Sequence, residues 1–150
     1  MANTPPTFRN PDTEHLKLLA IFHYILAGFD AVGIGFLAVH YLIISTVFTN
    51  PKMIEQMKHQ QNGDGPPFDP VQFMHVFVYF YIFMGFIILL LGLANVASGV
   101  CLHQRKARVF SIVVACVNCL FVPFGTAVGA FTIIVLLRPS VQSLYEQNTA

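Results

Sequence analysis

The chain predicts an all-α integral membrane protein: a four-helix bundle made of two long helices followed by a short C-terminal helical hairpin. Three observations carry this. Of 150 residues, 55% are hydrophobic and only 10% charged, which is far from the make-up of a water-soluble domain. The stretch 109–137 holds no charged side chain at all, so a bilayer is its natural solvent. Basic residues gather at the ends of the apolar runs, where they anchor a membrane protein to one side.

The first helix is expected over 15–48. Asp12-Thr13-Glu14 precedes it as an acidic first turn that the helix dipole favours. A bilayer needs about 20 residues, so this helix is expected to project beyond the outer surface until Asn50-Pro51 ends it. Residues 49–69 read as an external loop, with a turn-rich Asn62-Gly63-Asp64-Gly65-Pro66-Pro67 and a short amphipathic piece over 53–57. The second span, 70–103, is again overlong and dense in aromatics: Phe73, Phe77, Tyr79, Phe80, Tyr81, Phe83 and Phe86. Those rings suit lipid or interhelical packing, or a groove for a lipid, a quinone or a protein.

Beyond Arg105, Lys106 and Arg108 the apolar run resumes. One helix over 109–137 would be about 45 Å long, against a hydrocarbon core of ~30 Å. A hairpin with spans 107–122 and 124–138, turning at Pro123-Phe124-Gly125, is the preferred reading over a single kinked helix. Residues 140–150 form a polar tail with a surface turn over 141–145. In this topology Arg9, Lys17, Arg105, Lys106, Arg108 and Arg138 lie inside, against Lys52 and Lys58 outside. That asymmetry predicts cytoplasmic N and C termini.

Composition also excludes. A net charge of +1 gives no footprint for nucleic acid. Three cysteines within apolar runs do not make a secreted disulfide framework. Residues 1–12 lack the pattern of a cleaved signal, so the first helix is expected to be retained. A single 150-residue membrane domain is expected.

Five glycines, Gly28 and Gly35 on the first span and Gly85, Gly92 and Gly99 on the second, repeat at seven-residue spacing. Small residues in such rows let membrane helices approach, so the long helices are expected to pair antiparallel, Gly35 opposite Gly85 and Gly28 opposite Gly92. Gly125 and Gly129 add a Gly-x-x-x-Gly.

Asp30 is the most informative residue, a carboxylate about 20 Å from the inner edge by helix rise. His23 precedes it by seven on the same face, and helix counting brings Asn118 and Thr126 near its depth. A polar cluster of Asp30, His23, Asn118 and Thr126 is therefore expected, either locking helices together or holding a proton or cation. Cys116-Val117-Asn118-Cys119 matches C-x-x-C, but it sits late in a helix, away from the dipole that activates thiols, and reads as structural. His40 and His75 invite a metal or a haem, yet two histidines fall short of what zinc requires. His59 has no evident partner, and His15 and His103 read as solvated edge residues. Arg105, Lys106, Arg108 and Arg138 read as topology anchors and headgroup contacts.

Cys119-Leu120-Phe121-Val122-Pro123-Phe124-Gly125-Thr126, the later 131–140 stretch ending Leu137-Arg138-Pro139-Ser140, and the opening His15-Leu16-Lys17 through His23-Tyr24 together resemble small bacterial four-span membrane proteins of unassigned function. The resemblance implies a four-span topology in a bacterial inner membrane and no particular activity. The functional expectation is a non-enzymatic protein of assembly or interaction, self-associated or an accessory subunit of a larger membrane complex. It is expected to have the lipid bilayer as its surroundings, no cofactor beyond bound lipid, and no haem. A small ion or proton channel or transporter built on Asp30 and His23 is the alternative, and a membrane thiol or quinone oxidoreductase the third reading.

Overall fold

The computed structural model describes residues 11–60 and 70–147, and these are helical with short turns and no strand. The turn 62–67, Arg9 and the side chains of Met57, Lys58 and Phe73 lie outside what is described.

Helix α1, Pro11–Phe48, opens with Asp12 and Glu14 in its first turn. Near its end the hydroxyls of Ser45, Thr46 and Thr49 donate back to the carbonyls of Leu42, Ile43 and Ser45. Asn50 then stops one helix and starts the next: its side-chain oxygen accepts from the Lys52 amide at 3.1 Å, the bond of an N-cap. Helix α2, Pro51–Gln60, contains the short piece expected in the loop. Helix α3 runs Pro70–Gln104. At about 1.5 Å per residue, α1 and α3 are roughly 57 and 52 Å long, and both are long and apolar enough to cross a membrane.

Arg105 (φ 54°) and Ala107 (φ 48°) reverse the chain in left-handed conformations, with the Lys106 amide closing on the Cys101 carbonyl at 2.9 Å. Helix α4, Arg108–Asn118, and helix α5, Phe124–Leu136, form the hairpin. They have 11 and 13 residues, about 16 and 20 Å, each short of a ~30 Å core. Of the four expected crossings, helix length and apolar character support two, or three if α5 and α6 count as one bent span. Residues 119–123 leave the helix to make the turn, which shortens the first arm, while the second begins at Phe124 as expected and ends at Leu136. Thr126 ties that turn, its hydroxyl donating to the Cys119 carbonyl at 2.8 Å. Arg138 is extended and Pro139 begins α6, Pro139–Glu146, bent 72° from α5.

The chain divides into two compact units, Met1–Gly28 with Gly92–Ala150, and Phe29–Leu91. The first has a buried apolar cluster: Leu16, Leu19 and Ala20 of α1, Leu102 of α3, Val135 and Leu136 of α5, and Val141 and Tyr145 of α6. The tail is thus a docked helix, because Val141 and Tyr145, four apart, share one face and bury it together. In the second unit Tyr81 is the one buried residue among the described side chains.

Candidate functional site

In the first unit buried polar side chains accompany the apolar cluster, and many large apolar ones are uncovered. Large apolar side chains such as Leu18, Ile21, Phe22 and Ile25 face outward, while His23, Asn95, Ser98, Ser111, Asn118 and Thr132 are buried. That suits lipid as the surrounding solvent, because hydrocarbon leaves polar groups only the protein interior as a refuge.

Each helix brings an inward stripe at helical spacing. On α1 it is Leu16, Leu19, Ala20, His23; on α3, Asn95, Ser98, Leu102; on α4, Ser111, Val114, Ala115, Asn118; and on α5, Gly125, Gly129, Thr132, Leu136. Three contacts set the register between them. The Tyr24 ring covers Gly99, the Asn118 amide donates to the Asn95 side-chain oxygen at 2.7 Å, and Gly129 lies against Ala115 and Cys119. Counting along the helices from these contacts puts His23, Ser98, Ser111 and Thr132 within about 6 Å of one another in height. All four are fully buried, one from each of four helices.

Their bonding is unusual. Thr132 donates to the Val128 carbonyl of its own helix at 2.7 Å. Both ring nitrogens of His23 and the hydroxyls of Ser98 and Ser111 have no hydrogen-bond partner among the described residues. A neutral imidazole carries one donor and one acceptor, and a hydroxyl carries both. Each of these unpartnered groups therefore has the chemistry to bind water or another small neutral polar molecule.

His23 and Asn118 are buried in the first unit, Asn118 held by Asn95, and Thr126 is committed to the hairpin turn. Asp30 is half-buried in the second unit. Asn95, Ser98, Ser111 and Thr132 escaped the sequence reading. The available signal was their position: isolated polar residues, three or four apart from apolar ones, inside apolar runs.

The glycines are redistributed too. A Cβ added at Gly28 or Gly35 would meet nothing within 4 Å, and one at Gly85 would make ordinary contact with Leu37 at 3.5 Å. Those positions do not mark a backbone approach. Gly92 is half-buried. Of the expected row Gly99 is tight, its added Cβ 2.7 Å from the Tyr24 ring of α1; Gly125 and Gly129 are tight as well, where a Cβ would run into the Asn118 and Ala115 carbonyls of α4, because a hairpin with a five-residue turn forces its arms together.

In the second unit the Tyr81 hydroxyl and His40 Nδ1 are hydrogen-bonded. Tyr41, His40, Phe80 and Phe77 surround the Tyr81 ring with centroids 5.5–6.3 Å away, and Phe36 stacks on His40. His40 is thus partnered by a tyrosine where a second histidine was weighed, and His75 is exposed. Cys101, Cys116 and Cys119 are free thiols; Cys116 is exposed, while Cys119 sulfur lies against Gly129. Among the described residues no three of His, Cys, Asp and Glu gather as a metal site.

The basic residues differ in role. Arg108 Nε donates to the Leu136 carbonyl at 2.9 Å, closing the C-terminal end of α5, where a cation also complements the dipole. Arg105 reaches Thr13 Oγ1 at 3.3 Å, and Arg138 is exposed at the start of α6. Burial pushes the Tyr145 phenol up to about 12; Cys101 adds to the rise, and Arg108 and Arg105 oppose it. Comparison with known protein families, with curated proteins and with solved structures found no match to this chain.

Proposed function

We propose that this chain is a non-enzymatic integral membrane protein that works by association, as a homo-oligomer or as an accessory subunit of a larger membrane complex. One observation carries the reading: in the Phe29–Leu91 unit the helices hold large apolar side chains almost entirely uncovered. Counted from Lys17 and His103 by helix rise, Leu42, Ile43, Val76 and Tyr79 lie beyond a ~30 Å core, and each is 57% exposed or more. Lipid accounts for a hydrocarbon-deep band of such a surface, but α1 exceeds a ~30 Å core by roughly 27 Å. The remainder is stable only against protein.

In this reading the protein sits in a bacterial inner membrane with both termini cytoplasmic. Helices α1, α3, α4 and α5 form the bundle, and the α4–α5 hairpin enters and leaves from the cytoplasmic side, as the cations at its two ends favour. Photo-crosslinkers placed at Leu42, Val76 and Tyr79 in native membranes are expected to capture a second copy or one defined partner. A solitary monomer at all three positions would overturn the reading.

The layer of His23, Ser98, Ser111 and Thr132 favours a second reading, a small proton or ion conductor. Proteoliposome flux separates the two. Conduction lost in His23→Leu or Asp30→Asn supports transport, and no flux in the wild type leaves association alone.

A further inference from the structure

The turn from α3 to α4 and helix α6 frame a cavity of about 430 Å³, lined by Arg105, Lys106, Ala107 and Arg108 and by Gln142, Tyr145 and Glu146. Three cations face one carboxylate. We propose that this cavity is a binding site for the phosphate of an anionic lipid headgroup.

The two arginines are held in place by protein acceptors that use only part of each guanidinium. Arg108 spends Nε on the Leu136 carbonyl, and Arg105 spends one Nη on Thr13. The remaining N–H donors of each fork are pre-oriented, which lowers the entropy lost on binding, and a planar fork matches phosphate oxygens. The start of α4 adds to this. Its N-cap, Ala107, has no side chain able to bond the first-turn amides, so the positive end of an 11-residue helix opens where Ala107 and Arg108 line the cavity. Gln142 gives its amide N–H to the Leu137 carbonyl at 3.0 Å and thereby stays at the wall.

A lipid is favoured over phosphate from water by what lies beside the cations. Val109 and Leu137, next in sequence to Arg108 and Arg138, are 73% and 54% exposed. A cationic recess whose Arg108 is followed in sequence by a bare apolar side chain suits a molecule with a phosphate and acyl chains.

The test uses the full chain, stripped of lipid in neutral detergent and offered phosphatidylglycerol, phosphatidylcholine or inorganic phosphate, with native mass spectrometry reading bound adducts. Wild type is expected to retain phosphatidylglycerol in preference to phosphatidylcholine. Lys106→Gln, an exposed position whose loss spares the Arg108–Leu136 bond, is expected to lower retention about fivefold, the effect of one cation near a membrane surface. Arg138→Gln removes the same charge outside the cavity and is expected to change retention less than about twofold. Equal retention of the two lipids, or equal losses in the two variants, would show only diffuse attraction and overturn the site. Inorganic phosphate that binds and displaces phosphatidylglycerol upholds the phosphate chemistry, whereas phosphate binding with no lipid retained overturns the lipid source.

Discussion

Asn118 on α4 donates its side-chain amide to Asn95 on α3 across a buried distance of 2.7 Å, joining residues 23 positions apart. In membranes such a bond contributes about 1 kcal/mol, because the unfolded reference finds partners too. Asn118→Leu is expected to destabilise by about that amount, and Asn95→Leu combined with it by less than the sum of the two single changes. Thermal unfolding in detergent of the two single variants and the double variant measures the coupling; full additivity would show that the pair does not act as a unit.

The α4–α5 hairpin depends on two missing side chains. An added Cβ at Gly129 would meet the Ala115 carbonyl and lie 2.6 Å from the Cys119 sulfur, and one at Gly125 would lie 2.9 Å from the Phe121 Cβ. Backbone cannot step aside cheaply, so Gly125→Ala and Gly129→Ala are each expected to cost about 1–3 kcal/mol. Gly28→Ala and Gly35→Ala, with nothing within 4 Å, are expected to be neutral or stabilising by up to about 1 kcal/mol. Unfolding midpoints of the four variants should fall into these two groups.

Tyr145 supplies a pH dependence at the alkaline end. Its folded pKa is raised to about 12 from an ordinary value of 10.0, so its contribution to stability is complete below pH 10 and is lost as pH rises through 12. The absorbance of ionised phenol, wild type minus Tyr145→Phe, is expected to titrate near 12 in the folded protein. A midpoint near 10 would show that the tail helix does not stay docked.

His23 is fully buried with neither ring nitrogen bonded among the described residues. Replacing such a group by an apolar one of similar size removes a desolvation cost of about 1–3 kcal/mol. His23→Leu is therefore expected to be at least as stable as the wild type. A loss above about 2 kcal/mol in thermal unfolding would reveal that the imidazole is engaged by a bound polar molecule.

Ala107 sits at φ 48°, a conformation that costs an L-residue about 1–2 kcal/mol. Ala107→Gly relieves this and gives back roughly 0.5–1 kcal/mol in chain entropy. A net gain of about 0.5 kcal/mol is expected, visible as a small rise in Tm.

Much of the fold was legible before any coordinates. The long helices end within a few residues of expectation, because their apolar runs are interrupted by Asn50-Pro51 and closed by Arg105-Lys106, and such signals act locally. The hairpin turn at Pro123 was legible for the same reason. The length of its first arm was not, since the turn consumes residues 119–123 to bring Gly125 and Gly129 against α4. The tail was harder still: Val141 and Tyr145 share a helical face, but polarity alone describes them as surface. Of the expected polar cluster, the burial of His23 and Asn118 was legible as depth, whereas their neighbours were not.

Taken alone, the order of residues determined the solvent and the two long helices, since hydropathy and helix stops depend only on nearby side chains. Tertiary structure decided which polar groups meet. Whether Asn118 faces Asn95, or His23 shares a layer with Ser98, Ser111 and Thr132, depends on the register between helices. That register is set by contacts such as Tyr24 on Gly99, between residues too distant along the chain for any local rule to couple.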